Sequence, residues 1–411
     1  MNIKLYPHQE TARDFLLEKK RAILADSPRV GKSLSTAAAT VQHLPALIIC
    51  PAIVKNVWLA AINNIDPSVP VLVVNSKIAA QGLTKQPGVT IVNYDLIQYL
   101  PEKARFETLV LDECHRIKNP KAARTKTSMR LMKVCPRVYA LSGTLVPNRP
   151  SELWPILHGL GVYRGGWHDY VYRYCKAWSP PWGGIDVSGA SNIPELKAMI
   201  KPHLLRRKKE DVFQNYKEPQ VSLITFDLSI DKRERDFDVD ALVRNPDALL
   251  AFEGLSEIMR EAGMKKIAPS AEFVEDLLHA GEPVVVFAHH KDVVRGLAEK
   301  LAAFKPVMVV GDTPQKERNQ NIADFQSGKT DLIIGNVSSM GEGVDLSRSD
   351  TIVFVEATWQ TSALEQASSR VENIKKNGTQ PLVYILTIRA SLDHEVLFRI
   401  LAKQKIINQI I

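Results

Sequence analysis

The residues best suited to chemistry sit in two short segments. The first is Ile23-Leu24-Ala25-Asp26-Ser27-Pro28-Arg29-Val30-Gly31-Lys32-Ser33. An apolar run opens it, and a helix-forming run, Leu34–Gln42, follows. Gly-Lys-Ser at a strand-to-helix turn is the gripping end of a P-loop. Backbone N–H groups and a helix N-terminus can wrap phosphate there. In such a turn Gly31 belongs to the phosphate cradle, Lys32 reaches the β and γ phosphates, and the Ser33 hydroxyl holds Mg²⁺. A bare Gly-Lys-Ser also fits an ordinary basic helix start. The second segment is Leu109-Val110-Leu111-Asp112-Glu113-Cys114-His115, an apolar run ending in two carboxylates. Asp112 suits a metal ligand, acting through water, and Glu113 suits the group that polarises an attacking water. A solvated strand end would look similar. The two segments in one chain point to nucleotide hydrolysis more specifically than either does alone.

Such groups must be carried by a scaffold that aligns them. Short apolar runs recur with helix-like segments between them. One set is Ala22–Ala25, Ala46–Cys50, Val71–Val74, Val89–Val92, Thr108–Leu111 and Val138–Leu141. A second set is Val284–Ala288, Val307–Val310, Asp331–Ile334, Thr351–Val355 and Leu382–Thr387. Runs this short, rich in Val and Ile, read as strands buried on both faces. Their alternation with helices predicts two α/β, doubly wound parallel-sheet domains. The boundaries expected are 1–225 and 226–411. Helical insertions are expected at about 155–217 in the first domain and about 231–272 in the second.

With 53 Lys plus Arg against 45 Asp plus Glu, the formal charge is +8, which favours a polyanionic partner. Cys50, Cys114, Cys135 and Cys175 form no CxxC pair, so neither a zinc site nor a disulfide framework is expected. The reading is a reducing, cytoplasmic setting, in a bacterial or virus-infected cell. No apolar run approaches the roughly 18 residues of a membrane span. A monomer with no membrane partner is expected.

At this point the sequence resembles the Swi/Snf-type superfamily-two helicases and DNA translocases. Asp112-Glu113-Cys114-His115-Arg116-Ile117-Lys118-Asn119 resembles their motif II with its Arg-Ile-Lys-Asn continuation. Leu5-Tyr6-Pro7-His8-Gln9 resembles the leading glutamine motif, and Ile48-Ile49-Cys50-Pro51 with Trp58 resembles motif Ia. Leu141-Ser142-Gly143-Thr144 resembles motif III, and Leu205-Arg206-Arg207-Lys208-Lys209-Glu210-Asp211-Val212 resembles the element closing the first lobe's insertion. In the second half, Val286-Phe287-Ala288-His289-His290, Gly341-Glu342-Gly343-Val344-Asp345-Leu346 and Gln366-Ala367 with Arg370 resemble motifs IV, V and VI. Tyr174-Cys175, Gly189-Ala190-Ser191-Asn192 and the Gly263–Lys266 region lean toward the annealing-helicase, fork-remodelling branch.

The resemblance implies two RecA-like lobes with helical insertions, ATP and Mg²⁺ as cofactors, and double-stranded or branched DNA as partner. It implies that Gln9 reads the adenine edge, and that Lys32, Ser33, Asp112 and Glu113 handle phosphate, metal and water. Ser142 and Thr144 would couple hydrolysis to motion. Arg370, with Gly341 and Gly343, would complete the nucleotide site. Lys55, Lys118, Asn119, Arg206, Arg207, His289, Ser338 and Trp359 are the candidate DNA contacts. Arg206–Lys209 fits a solvated helix face as well, His289 a polar loop, and Trp359 a packed side chain. The implied activity is a DNA-dependent ATPase that translocates on duplex DNA without processive strand separation.

Two departures stand out. Motif I of the family carries a second loop glycine where this chain has Arg29, and motif VI a second arginine where it has Asn373. They keep open an ATP- and DNA-binding clamp with little or no hydrolysis. A strand-separating DNA or RNA helicase is the other alternative.

Overall fold

The computed structural model describes residues 4–83, 88–143, 145–146, 149–180, 183–214, 216–231, 233–234, 254–340, 344–356, 371 and 380–398, with the backbone alone for Ser338. The chain divides into two compact units, one reaching Val212 and the other beginning at Phe213. Each is built on a parallel sheet.

The first sheet runs β3-β4-β2-β5-β6-β1-β7 among the described residues. Its strands are β1 (Arg21–Leu24), β2 (Ala46–Cys50), β3 (Val71–Val73), β4 (Val89–Asn93), β5 (Thr108–Leu111), β6 (Arg137–Leu141) and β7 (Leu204–Leu205). Every pairing is parallel. The central strands are apolar at almost every position because helices cover both faces. One face buries Ile23, Leu47, Ile49, Leu109, Leu111, Val138 and Ala140; the other buries Ala22, Leu24, Ile48, Val110, Tyr139 and Leu141. Three helices matter for the site: α1 (Pro7–Lys19), α2 (Lys32–Thr40) and α3 (Lys55–Ile65). Proline at the first position of α1 costs no hydrogen bond, because that N–H has no intrahelical acceptor anyway.

The second sheet runs β10-β11-β9-β12-β13-β8, again parallel throughout. Its strands are β8 (Gln220–Phe226), β9 (Val284–Ala288), β10 (Val307–Val309), β11 (Leu332–Asn336), β12 (Thr351–Phe354) and β13 (Leu382–Ile388). The expected two-lobed α/β architecture is therefore present. All eleven strands read from the sequence are found, within two residues at each end.

Three expectations need correction. Gln220–Phe226 is an edge strand of the second sheet, paired with β13, so a domain boundary after residue 225 cuts through the wrong lobe. Its side chains are exposed or half-buried, which hid the strand from a search for buried runs. Leu204–Leu205, at the start of the basic run, pairs with β1 as another edge strand. The helix Leu255–His279 was expected to lie largely in an insertion. It packs on β9, β13 and the helix Lys291–Lys300, as a wall of the lobe. Its Lys266 is buried, bonded to Asp393 Oδ2 at 2.6 Å and to the Leu386 carbonyl at 3.1 Å. The other insertion contains the helices Trp154–Leu160, Trp167–Tyr174 and Ile193–Ile200, packed through Tyr163, Tyr170 and Tyr174. No helix among the described residues is long and apolar enough to cross a membrane.

Arg21 fastens this insertion to the sheet. It opens β1 and donates to the carbonyls of Cys135 and Met132 at 2.7 Å, of Gly159 at 2.7 Å and of Leu160 at 3.1 Å. These carbonyls close the helices Ala123–Val134 and Trp154–Leu160, where orphan acceptors and the helix dipole favour a cation. Replacing Arg21 with Met leaves the carbonyls unsatisfied. The expected cost is about 2–3 kcal/mol, seen as a lower urea midpoint with an unchanged slope.

Candidate nucleotide site

The carboxyl ends of β5, β6, β1 and β7 lie side by side, because these strands are neighbours and parallel. Asp112 and Glu113 follow β5, Ser142 and Gly143 follow β6, the Asp26–Gly31 loop follows β1, and Arg206 and Arg207 follow β7. Ligands of open α/β sheets gather at this edge.

Gly31 caps α2 with φ +98°, a left-handed conformation that favours glycine. A Cβ here would lie 2.1 Å from Gln9 Nε2, so the glutamine side chain occupies the space beside the glycine. Gln9 is 5% exposed, and its Oε1 accepts the Tyr6 N–H at 3.0 Å, which fixes the amide over the loop. His8 Nε2 meets the Val30 carbonyl at 3.0 Å. Lys32 Nζ donates to the carbonyls of Asp26 at 2.7 Å and Ser27 at 3.2 Å. A Cβ on Gly143 would come within 3.6 Å of that ammonium, so the β6 loop lies close to it. Ser33 is half-buried in the first turn of α2.

Desolvation, then the adjacent Glu113 charge, pushes the Asp112 pKa up to about 7. Three groups work in the opposite direction: Trp58 Nε1, donating to Oδ2 at 2.7 Å, the charge of Lys32, and the Glu113 N–H, donating to Oδ1 at 3.1 Å. The Tyr94 hydroxyl donates to the Asp112 carbonyl at 2.7 Å and holds the strand end. Glu113 adopts φ +50°. Its Oε2 lies 3.3 Å from His115 Nδ1 and accepts from Ser142 Oγ at 3.5 Å, while the imidazole and hydroxyl are 3.0 Å apart. The acidic strand end and the β6 loop thus share one hydrogen-bonded triangle.

Sequence reasoning missed Trp58 as the partner of Asp112, and Tyr94 altogether. A tryptophan in an amphipathic helix reads as core, and Trp58 is indeed fully buried. Only its one polar atom betrays the second role. Among the described residues no cluster of three His, Cys, Asp or Glu side chains could hold a metal. Ser33 and Asp112, the residues expected to hold Mg²⁺, are therefore not part of such a cluster.

The candidate DNA contacts divide. Lys55 is buried, its ammonium bonded to the Val74 carbonyl at 2.7 Å and Asn75 Oδ1 at 3.2 Å, and burial lowers its pKa. It fastens α3 to the end of β3 and is not placed to meet a phosphate. Arg207 is turned inward onto Asp26, which also corrects the surface reading of that residue. Lys118 is half-buried, 3.6 Å from Glu152. Arg206 is half-buried in the β7 exit. Asn119 is exposed, its Oδ1 accepting the Lys121 N–H at 2.9 Å. In the second lobe His289 is exposed at the end of β9. Buried Glu356 accepts the N–H groups of His289 and His290 at 2.8 and 2.9 Å and pins this turn. Thr144, Gly341, Gly343, Trp359, Arg370 and Asn373, and the Ser338 side chain, lie outside the described residues.

Comparison with known proteins settles the family. A profile described as SNF2-related domain matches residues 8–250, more than half of the chain, and one described as helicase conserved C-terminal domain matches 269–375. The chain belongs to the SNF2-related family. Its relatives include the Xenopus laevis SWI/SNF-related matrix-associated actin-dependent regulator of chromatin subfamily A-like protein 1. That protein is 28% identical, over 98% of this chain and 44% of its own length. The Mus musculus DNA annealing helicase and endonuclease ZRANB3 is 25% identical, over 94% of this chain and 39% of its own length. The chain thus spans less than half of either relative. Among solved structures it is similar to the Sulfolobus solfataricus SWI2/SNF2 ATPase core in complex with dsDNA. The TM-score is 0.49 at 19% identity, with 100% of this chain and 93% of that one covered.

The Asp112 shift has a signed consequence. A carboxyl whose folded-state pKa is raised favours the fold while neutral and works against it once ionised. Its contribution is fully present below the unfolded value near 3.8 and is lost as pH rises through about 7. Asp112→Asn stays neutral throughout. Without nucleotide or Mg²⁺ it is expected to melt above the parent protein at about pH 8 and level with it near about pH 4. Calorimetric melting at the two pH values checks this.

Proposed function

We propose that this chain is an ATP-dependent translocase on double-stranded or branched DNA, remodelling DNA or protein–DNA complexes without processive strand separation. One observation carries the reading. In an SNF2-related chain, Lys32, Asp112, Glu113, Ser142 and the glycine-capped loop converge on one sheet edge. The names of the relatives, a chromatin regulator and a DNA annealing helicase, support DNA as the substrate.

The residues present fit a Mg²⁺-nucleotide. Gly31, left-handed and packed against Gln9, lets the loop turn directly into the N-terminus of α2, where backbone N–H groups favour an anion. Lys32 would exchange its bonds to the loop carbonyls for phosphate oxygens. Ser33 and Asp112 would hold the metal. A bound Mg²⁺ supplies neutralising charge at the phosphates, and it favours the ionised Asp112 that burial disfavours. Glu113 would orient the attacking water. Through His115 and Ser142, the position of Glu113 is tied to the loop after β6, a direct route from the chemistry to the coupling segment. Arg370 and the Gly341–Gly343 loop belong to the same proposal, carried by the resemblance.

The clamp reading keeps a specific motive. Arg29 occupies φ +67°, where the family places a glycine. Phosphate release with and without nucleic acid separates the readings. Duplex or forked DNA is expected to stimulate the protein, and Lys32→Ala and Glu113→Gln to lower the stimulated rate at least about a hundredfold. Nucleotide binding without stimulation by any nucleic acid would establish the clamp. Stronger stimulation by single strands or RNA would favour the helicase.

A further inference from the structure

The phosphate loop is strained in its middle and held at both limbs. Arg29 lies in the left-handed region, which disfavours residues that carry a Cβ and persists only where the surroundings enforce it. On the outgoing limb, His8 meets the Val30 carbonyl and Gln9 abuts Gly31. On the incoming limb, the Arg207 carbonyl accepts the Ser27 N–H at 3.0 Å. The Asp26 carboxylate, 1% exposed, accepts the Arg207 N–H at 3.0 Å, its Nε at 3.1 Å, and its Nη2. The remaining guanidinium nitrogen, Nη1, donates to the carbonyl of His8. Arg207 therefore bonds both to the incoming limb and to a holder of the outgoing one. A closed ring runs from Asp26 through the loop to Gly31, across Gln9 and His8, and back through Arg207.

We propose that Arg207 is a positioning residue for nucleotide binding, holding the loop in its phosphate-accepting form against the strain at Arg29. Three observations separate this from a DNA contact or a plain ion pair. The Arg207 side chain is only 15% exposed, and Nε, Nη1 and Nη2 all bond to the loop and α1. The fork geometry matches a carboxylate bidentately, which a lysine cannot reproduce. The residue sits at the exit of β7, so the segment leaving the helical insertion is built into the nucleotide site.

This inference rests on the proposed reading of the loop as an ATP site, and its experiment keeps the two apart. In DNA-stimulated hydrolysis, Arg207→Ala and Asp26→Asn are expected to raise the KM for ATP about tenfold or more, with kcat within about threefold. Arg207→Lys is expected to fall between Arg207→Ala and the parent. Duplex affinity, read by fluorescence anisotropy at fixed salt, is expected to change by less than about twofold. The deciding variant adds Arg29→Gly to Arg207→Ala. Relief of the strained residue is expected to bring KM back to within about threefold of the parent. Lost duplex affinity at unchanged KM would overturn the proposal in favour of a DNA contact. A KM defect that Arg29→Gly leaves untouched would overturn it as well. If the parent protein hydrolyses no ATP, the function proposed above has failed. Calorimetric titration with ATP then tests the clamp without turnover: weaker binding in Arg207→Ala, recovered by Arg29→Gly, supports it, and equal binding overturns it.

Discussion

Parallel pairing of β5, β6, β1 and β7 sends four chain exits over the same edge of one sheet. All else in the first lobe's site follows from that constraint. Parallel strands need crossovers, the crossovers are helices, and the helices bury both faces. Burial makes the strand interiors apolar and leaves the polar work to the residue or two just beyond each strand. Asp112 is such a residue, and its position explains its electrostatics. It emerges from a dry strand end beside a second carboxylate. It therefore needs the indole of Trp58 and the ammonium of Lys32 to favour its charge.

The same constraint explains what the sequence made legible. Continuous apolar runs such as Ala46–Cys50 and Val284–Ala288 announce strands buried on both faces, and both occupy the bounds read from them. Motif residues directly after such runs could be placed for the same reason. Edge strands carry no such pattern. β7 is two half-buried leucines, and β8 shows water much of its length. Side-chain direction was equally hidden. Lys55 and Arg207 are basic and lie next to motifs, which suits a phosphate contact, yet both turn inward to satisfy buried acceptors. Nothing in residue type distinguishes the two uses of a cation. Trp58 illustrates the converse, an apolar-looking residue whose single N–H settles its role.

The second lobe solves a similar problem with other groups. There the strand-end turn His289-His290 is held by Glu356, just beyond the neighbouring strand β12. A Cβ on Gly263 would come within 2.5 Å of the same carboxylate, so a glycine in the helix wall makes room for it. In the sequence Gly263 stands out only as part of a family-like segment. Its physical reason is this close approach.

The bond from Arg207 to Asp26 spans 181 positions of chain. Nearly the whole first lobe, insertion included, lies between the loop and the residue that closes it. During synthesis from the N-terminus, the phosphate loop, α1 and the acidic strand end all leave the ribosome well before β7 does. The nascent lobe could assemble six strands of its sheet and still lack the last one. An immature chain would then carry a recognisable P-loop sequence in an unfinished socket. Closure of the socket would then wait for the insertion to be made, because Arg207 follows it in the chain.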